Sequence, residues 1–289
     1  MLSINCKGKL ISFDQPIVMG IINMTPDSFY AGSRKRELDA VVQTAGKMLE
    51  EGATFIDIGG QSTRPGSERV SATEEGNRVI YAVEAIQHAF PDALISIDSF
   101  YSEVVRAAVQ AGAAMVNDVS ACSIDPELAP TVASLQVPYV LMHMKGDPQT
   151  MQLNPVYDNV VLEVFDDLNK KMAMLIQNGI KDIIIDPGFG FGKTIAHNLQ
   201  LLSGLSYFKQ LDKPILVGLS RKATIYKSLQ ITPEEALNGT TVMNTISLMN
   251  GAHILRVHDV KAAMEAIRLT SLYQQEKEFM KKRMKKIRY

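Results

Sequence analysis

The 289-residue sequence lacks what several large classes of protein require. Its two cysteines, Cys6 and Cys122, are too few and too isolated for a disulfide framework or a metal cluster. Its 30 basic and 31 acidic residues give a net charge of −1, which argues against general nucleic-acid binding because that function needs a basic surface. No apolar run approaches the ~20 residues of a spanning helix, and the start lacks a signal peptide's apolar core. We therefore expect a soluble, cytoplasmic protein that binds neither nucleic acid nor membranes.

Several catalytic motifs are also absent. No His-x-His follows the first predicted strand, which disfavours a metal-dependent amidohydrolase, and His143 and His258 alone cannot make a zinc site. No G-x-S-x-G nucleophile elbow occurs, so acyl transfer has little support. Residues 186–193, DPGFGFGK, contain alternating glycines, but a phosphate-binding P-loop would need glycine at position 187, which is proline. These glycines more plausibly let the backbone bend tightly and bring a phenylalanine ring over a flat ligand.

What the sequence does contain is a short apolar strand repeated eight times, usually followed by a polar side chain and a turn. The predicted strands are residues 17–23, 55–60, 94–98, 115–118, 137–143, 183–186, 215–220 and 254–258. Amphipathic helical patterns lie between them, and four glycines mark helix ends where a left-handed residue is expected: Gly52, Gly112, Gly179 and Gly251. Eight strand–helix units predict a single (β/α)8 TIM barrel. A doubly wound open sheet is the alternative.

The rest of the chain fits one domain, residues 1–289, because a barrel of this kind takes about 250 residues and no linker interrupts it. Residues 1–14 resemble a small β-hairpin that plugs the amino-terminal mouth of the barrel. Residues 266–289 form a basic helical extension, which we interpret as a solvated helix end, with a contact site as the alternative. Its cations are Lys277, Lys281, Lys282, Arg283, Lys285, Lys286 and Arg288.

Acceptor groups end three of the eight predicted strands. Asp98, Asn117 and Asp186 should meet at the carboxyl face of the barrel, where such enzymes gather their functional groups. Two carboxylates and an amide suit a flat ligand with several N–H donors, because a buried carboxylate needs donors to stay ionised. A helix-capping role for Asp98 is the alternative, although Ser99 could serve as the cap.

Cations follow the last two strands. Lys222 lies in the turn after the seventh strand, and Arg256 and His258 share one face of the eighth. Barrels commonly bind phosphate at this position, so phosphate or pyrophosphate is the predicted ligand. An interior ion pair is the alternative for Arg256. Asn23, at the end of the first strand, offers an oxygen ligand that Mg²⁺ accepts beside phosphate and water.

The motifs as a set closely resemble dihydropteroate synthase, in order along residues 15–265. They are NMTPDSF at 23–29, GGQSTRPG at 59–66, IDS at 97–99, VND at 116–118, LMHM at 141–144, DPGFGFGK at 186–193, SRK at 220–222 and RVHD at 256–259. The resemblance implies a transferase that joins 6-hydroxymethyl-7,8-dihydropterin pyrophosphate to p-aminobenzoate and releases pyrophosphate, in folate synthesis. It also implies Mg²⁺, a homodimer, and sulfonamides as inhibitors that mimic p-aminobenzoate.

The resemblance also implies roles for individual residues. The pterin would contact Asp98, Asn117, Met142, Asp186 and Lys222. Pyrophosphate and Mg²⁺ would contact Asn23, Thr63, Arg64, Arg256 and His258. The p-aminobenzoate would contact Phe29, Thr63, Pro65, Phe191, Ser220 and Lys222. The predicted catalytic groups are Asp98, Lys222, Arg256 and His258.

The chemistry favours a dissociative displacement, as the resemblance also implies. Neutralising the leaving pyrophosphate and delocalising positive charge into the pterin ring both help departure, and the aromatic amine is nucleophilic without a base. Three positions differ from the family pattern: Ala31, Gln61 and Ala223. Two other interpretations stay open, a methyltransferase-type pterin-binding barrel and a non-catalytic paralogue. Lys222, Arg256 and His258 argue against the first, since methyltransferases have no pyrophosphate to neutralise.

Overall fold

The computed structural model describes residues 2–24, 34–62, 69–146, 151 and 155–287. Within these residues the strands are β1 (Ser3–Cys6), β2 (Lys9–Ser12), β3 (Ile17–Asn23), β4 (Phe55–Gly59), β5 (Leu94–Asp98), β6 (Met115–Asp118), β7 (Tyr139–Met142), β8 (Ile183–Asp186), β9 (Leu216–Val217) and β10 (Ile254–Val257). The α-helices are α1 (Arg34–Glu50), α2 (Ala72–Ala89), α3 (Ser102–Ala111), α4 (Leu128–Leu135), α5 (Val160–Gln177), α6 (Ile195–Ser203), α7 (Ala223–Leu229), α8 (Leu237–Met249) and α9 (Val260–Ile287). A 3₁₀ helix, Leu205–Leu211, follows α6. None of the described helices combines the length and apolarity that a membrane span needs.

Strands β3 to β10 form one parallel sheet in the order β8-β7-β6-β5-β4-β3-β10-β9. A bridge between Ile185 of β8 and Ile215, just before β9, joins the two edges, so the sheet nearly closes on itself. The helices surround it, and a core of aliphatic side chains fills the space between strands and helices. The predicted (β/α)8 barrel is confirmed, and the open-sheet alternative is excluded.

The predicted strands agree with the observed ones at their centres and run too far at some ends. The segment 137–143 pairs only from Tyr139 to Met142, because Pro138 has no N–H and takes part only through its carbonyl oxygen, which accepts from Val116 N at 2.9 Å. The segment 215–220 pairs only at Leu216–Val217, because the chain turns soon afterwards and Arg221 takes a φ of +55°. These ends are set by local backbone geometry that the apolar pattern does not report.

Glycine at the four predicted helix ends takes the left-handed conformation that the sequence pattern requires. Gly52, Gly112, Gly179 and Gly251 have φ values of +104°, +132°, +93° and +100°. They follow α1, α3, α5 and α8, where a side chain on Cβ would strain this backbone. The spacing of these glycines therefore marks strand–helix units correctly.

The amino-terminal hairpin is confirmed. β1 and β2 pair antiparallel around Lys7 and Gly8, whose φ values of +51° and +86° are those of a tight two-residue hairpin turn. The N–H of Asn5 donates to Asp182 Oδ2 at 3.2 Å, which fastens the hairpin to the segment before β8. This contact holds the hairpin against the amino-terminal end of the barrel.

The side chains inside the barrel change from apolar to mostly polar over two residues along each strand. Each of the eight barrel strands contributes one apolar residue to a lower layer: Met19, Phe55, Leu94, Met115, Val140, Ile184, Leu216 and Ile254. The same layer contains Ile4, Cys6, Ile11 and Phe13 of the hairpin region. Alternate residues of a strand share a face, so the next inward positions lie two residues later. They are Ile21, Asp57, Ser96, Asn117, Met142, Asp186, Gly218 and Arg256. A layer in which five of eight residues are polar thus lies directly on an apolar plug.

We expect the hairpin to contribute to stability through its inward side chains alone. Ile4 is 1% exposed and Leu10 is 70% exposed, although both lie in the same hairpin. Ile4→Ala should lower the free energy of unfolding by about 2–5 kcal/mol, because it leaves a cavity in the plug. Leu10→Ala, the matched control, should change it by less than about 0.5 kcal/mol. Urea denaturation measures both, and equal losses would show that the hairpin does not seal the barrel.

Candidate active site

Arg256 of β10 is the centre of a charge network inside the barrel. Its Nε donates to Asp57 Oδ2 at 2.7 Å, and its Nη2 lies 2.6 Å from that oxygen and 2.7 Å from Asp98 Oδ2. Asn117 Nδ2 donates to the same Asp57 oxygen at 3.0 Å. The network therefore joins β4, β5, β6 and β10 across the lumen. The interior ion pair, which the sequence left as an alternative for Arg256, is present.

Burial and charge act in opposite directions on this network. Burial raises the pKa of Asp98 to about 7, while Arg256 lowers it and Asp57 raises it further. Burial would lower the pKa of Arg256, but Asp57 and Asp98 outweigh it and raise that pKa. Arg256 is thus a permanent cation, and its side chain keeps 18% of its surface exposed. Asp98 changes charge near neutral pH.

Asp186 and Lys222 form the opposite wall of the mouth. Asp186 is 6% exposed, its Oδ1 accepts from Gly188 N at 2.7 Å, and burial raises its pKa while Lys222 opposes the rise. Lys222 Nζ donates to the carbonyl oxygen of Phe189 at 2.5 Å and lies 4.6 Å from the centre of the Phe191 ring. Burial lowers the pKa of Lys222 to about 8, and Asp186 opposes that change. A carboxylate and an amino group of lowered pKa therefore share this wall.

A separate apolar cluster lies beside these charges at the carboxyl face. It contains Phe100, Val119, Met142, Met151 and Phe191. Met142 and Phe191 were predicted at the site, whereas the other three carry no sequence signal that separates them from ordinary core residues. Their side chains provide the apolar surface that a flat ring needs on its faces.

The turn after β9 is fixed by β10. Ser220 Oγ accepts from the backbone N–H of His258 at 3.2 Å and lies 3.0 Å from His258 Nδ1. Arg221 points away from the site and makes two bonds to Asp259, at 2.8 and 3.0 Å. Burial lowers the pKa of His258 to about 4, and Arg256 lowers it as well. His258 is therefore neutral, and its Nδ1 exchanges a hydrogen bond with Ser220 Oγ.

The stem of the second loop is described on both sides of residues 63–68. Arg78 Nη1 donates to the carbonyl oxygen of Gly60 at 2.9 Å, and Val70 N donates to Gln61 Oε1 at 3.1 Å. Gln61, one of the three departures from the family pattern, thus closes the stem with an acceptor oxygen that a glutamate would also supply. Glu75 is fully buried beside Gly60, and burial raises its pKa to about 8.

The predicted site residues fall into three groups. Asp98, Asn117, Asp186, Lys222 and Arg256 lie at one mouth, with His258 and Ser220 at its edge and Met142 and Phe191 in the apolar cluster. Asn23 lies exposed at the end of β3, paired in register with Gly59. Four predicted residues lie outside the described residues: Phe29, Thr63, Arg64 and Pro65. Which ligand each of these residues binds stays a prediction.

Two residues that shape the site are not among the predicted site residues. Asp57 is fully buried and holds both Arg256 and Asn117, and its spacing of five residues from Gly52 is the same as theirs from Gly251 and Gly112. That shared spacing identifies Asp57 as a polar residue at a strand end, but it predicts no contact with Arg256. Lys193 is 3% exposed and bonds the loop that precedes it. Nothing in the sequence distinguishes it from a surface lysine.

Comparisons with known proteins find similarity along most of the chain. A family model described as pterin binding enzyme matches residues 19–258. The dihydropteroate synthase of Escherichia coli K12 is 44% identical over 265 residues, which covers 91% of this chain and 93% of that protein. The Yersinia pestis dihydropteroate synthase, solved with a sulfonamide drug, superposes with a TM-score of 0.89 at 38% identity, over 95% of this chain and 100% of that one. The Xanthomonas albilineans enzyme, solved with 4-aminobenzoic acid, superposes with a TM-score of 0.87 at 42% identity, over 94% and 98%.

We expect Asp57 to be essential to the charge network. Asp57→Asn should lower the free energy of unfolding by about 3 kcal/mol, because it removes one of two anions that balance a buried guanidinium. Asp92→Asn is the matched control, since Asp92 is exposed, and it should cost less than about 0.5 kcal/mol. Urea denaturation at pH 8 gives both values. An Asp57 variant as stable as the Asp92 variant would mean that Asp98 alone balances Arg256.

Proposed function

Because the chain belongs to the dihydropteroate synthase family of pterin-binding enzymes, we propose that it joins 6-hydroxymethyl-7,8-dihydropterin pyrophosphate to p-aminobenzoate and releases pyrophosphate. It is an enzyme of folate synthesis. Its finer class would be a transferase of the pterinylmethyl group. The observation that carries the proposal is one barrel mouth where buried acceptors, Asp186 and Asn117, lie beside the cations Lys222 and Arg256.

The pterin would bind by its donor-rich edge. Asp186 Oδ1 already accepts from Gly188 N, so we propose that Oδ2 accepts from the pterin N–H groups. Asn117 Nδ2 donates to Asp57, which leaves the side-chain oxygen Oδ1 of Asn117 to accept a hydrogen bond from the pterin. Lys222 would exchange its bond to Phe189 for one to the ring oxygen. Met142 and Phe191 would cover the faces of the ring.

Pyrophosphate would bind at the cationic edge of the mouth. Nε and Nη2 of Arg256 serve the two carboxylates, and Nη1 carries two further N–H groups, which we propose donate to pyrophosphate. His258 would add the N–H on Nε2, a neutral donor in the free protein. Thr63 and Arg64, outside the described residues, would complete this subsite on the family pattern.

We propose Mg²⁺ as the metal, held by Asn23. Among the described residues no group of three His, Cys, Asp or Glu side chains could hold a metal ion. A site with one or two protein ligands is the remaining possibility, because Mg²⁺ commonly takes one or two protein oxygens and completes its shell with water and substrate phosphates. Asn23 fits such a site, since it is exposed at the end of β3. When bound, the ion would neutralise part of the charge on pyrophosphate.

The reaction we propose breaks the bond between the pterin methylene carbon and pyrophosphate before the amine attacks. The electron pair leaves with pyrophosphate, whose charge Arg256 stabilises. The positive charge that remains is spread over the pterin ring. Ionised Asp98, which accepts a hydrogen bond from Arg256, lies at the same mouth of the barrel and would stabilise this charge. The amine nitrogen of p-aminobenzoate then forms the new bond to the methylene carbon and releases one of its two protons to solvent. Asp98 must be ionised for this role, which its raised pKa permits above about pH 7.

The second substrate would lie above Phe191, Ser220 and Lys222, with Phe29, Thr63 and Pro65 contributed by loops outside the described residues. Phe191 supplies an apolar ring, and Lys222 a cation within 4.6 Å of its centre. Sulfonamides, which copy the shape of p-aminobenzoate, would occupy the same place. We propose that they inhibit this protein as competitors of p-aminobenzoate.

We also propose a homodimer. Within the described residues an apolar groove separates α8 from α9, with Leu237, Met249, Leu269 and Tyr273 along it. These side chains are 42%, 39%, 68% and 54% exposed. Exposed apolar side chains gathered in one groove favour association, so this face supports the dimer that the family resemblance implies.

Turnover of the two substrates tests the function. With Mg²⁺ present, the protein should release pyrophosphate only when both substrates are added, and EDTA should abolish release. Mass spectrometry should show dihydropteroate in amounts equal to pyrophosphate. Tight pterin binding without any pyrophosphate release would instead identify a non-catalytic paralogue.

Asp186 should govern binding of the pterin ring. Asp186→Asn should weaken 6-hydroxymethyl-7,8-dihydropterin, which lacks pyrophosphate, by about 1–3 kcal/mol, because an acceptor for a buried N–H is lost. Asp182→Asn is the matched control. Asp182 lies directly before β8, at the end of the strand away from the site, and accepts from the backbone N–H of Asn5. Calorimetry gives both affinities. Equal affinities for the two variants would remove Asp186 from the pterin site.

A further inference from the structure

The loop between β8 and α6, residues 187–192, carries the groups that orient both proposed substrates. Gly188 N donates to Asp186 Oδ1, and the Phe189 carbonyl oxygen accepts from Lys222. The Phe191 ring lies against the Lys222 ammonium group. The shape of this loop therefore sets where Asp186 and Lys222 point.

The loop has an unusual backbone that local sequence alone does not stabilise. Gly188, Gly190 and Gly192 have φ values of +70°, +86° and +63°. A side chain on Gly188 would collide with the carbonyl oxygen of His143, and one on Gly192 with that of Lys145. The loop thus lies directly against the segment after β7, and something must hold it there.

Lys193 supplies the contact. Its side chain is buried, and its Nζ lies 2.9 Å from His143 Nδ1, 2.9 Å from the Gly188 carbonyl oxygen and 3.0 Å from that of Phe191. An ammonium group has three N–H donors, one for each of these acceptors, and the carbonyl oxygen of His143 lies farther away, at 3.5 Å. One buried amino group therefore ties both ends of the loop to His143, the residue that follows β7.

His143 is a fit acceptor for this cation. Burial lowers its pKa to about 2, with Lys193 lowering it further, so the ring is neutral and accepts through Nδ1. The His143 backbone N–H donates to the Asp186 carbonyl oxygen at 3.0 Å, which fixes the start of the same loop. The pKa of Lys193 is lowered to about 7 by burial, against Asp186 and Asp167, with Lys222 and Lys171 adding to the decrease.

A purely structural lysine would be poorly placed here. Burying an ammonium group costs free energy, and an apolar side chain of the same length would fill the space without that cost. What the ammonium group adds is direction, because it fixes two carbonyl oxygens and a ring nitrogen at once. The two loop residues that it holds are those next to the Asp186 carboxylate and the Lys222 ammonium group.

We propose that Lys193 and His143 are a positioning pair that holds residues 187–192 in the shape which the p-aminobenzoate and pterin subsites require. This proposal rests on the proposed function. Neither residue touches a reacting atom. The pair acts through Gly188 on Asp186, and through Phe191 on Lys222.

Three single variants and one double variant test the pair. Lys193→Met removes the ammonium group at similar length, and His143→Leu removes the acceptor at similar volume. His143→Asn is the matched control, because its amide oxygen can occupy the place of Nδ1. Lys193→Met and His143→Leu should each raise the KM for p-aminobenzoate about tenfold and lower kcat less than about threefold, since Arg256 and His258 lie on another strand. His143→Asn should stay within about twofold of wild type.

The double variant, Lys193→Met with His143→Leu, should be no worse than Lys193→Met alone, because the two side chains act as one unit. An unchanged KM in Lys193→Met, equal losses in His143→Asn and His143→Leu, or additive losses in the double variant would each overturn the pair. If Lys193→Met does not fold, the comparison of the two His143 variants decides. Nitrogen NMR should show His143 with its proton on Nε2 in wild type, and a proton on Nδ1 would overturn the pair.

Failure of the proposed function is distinguishable from failure of the pair. A wild-type protein without turnover overturns the function and with it the positioning role. Wild-type turnover together with wild-type kinetics in Lys193→Met overturns the positioning role alone.

Discussion

The guanidinium group of Arg256, shared between Asp57 and Asp98, is the interaction on which the site depends. It joins β10 to β4 and β5 across a lumen whose amino-terminal half is filled by apolar side chains. Without a cation there, two carboxylates would face each other in a buried space, and one would take up a proton. With it, the barrel keeps Asp98 titratable near neutral pH and keeps Arg256 charged.

The alternation of side chains along the strands places this ion pair among other polar groups at the carboxyl end of the barrel. The same eight strands that seal the barrel with Met19, Phe55 and their neighbours present Asp57, Asn117 and Arg256 two residues later. Acceptors therefore gather on β4, β5, β6 and β8, and the cations are Lys222, in the turn after β9, and Arg256 on β10. The proposed pterin pyrophosphate has the same division, with a donor edge at one end and an anion at the other.

Periodic features were predictable from sequence, and pairwise ones were not. Apolar runs and the glycines at 52, 112, 179 and 251 located the strand–helix units, and polar strand ends located Asp98, Asn117, Asp186 and Arg256. The pairing of Asp57 with Arg256 spans 199 residues, and no local pattern reports it. The Lys193–His143 contact depends on where a glycine loop meets β7, and strand ends near Pro138 and Arg221 depend on single backbone conformations. The two side-chain contacts follow from tertiary packing, and the strand ends follow from local backbone geometry.

The claim that Arg256 serves the carboxylates and the substrate together can be seen directly in a crystal structure with pyrophosphate and Mg²⁺ bound. The account predicts that Nε and Nη2 keep their contacts with Asp57 and Asp98 while Nη1 donates to a pyrophosphate oxygen. Pyrophosphate bound elsewhere, with Arg256 paired only to its two carboxylates, would show that this residue is a structural ion pair and would contradict the account.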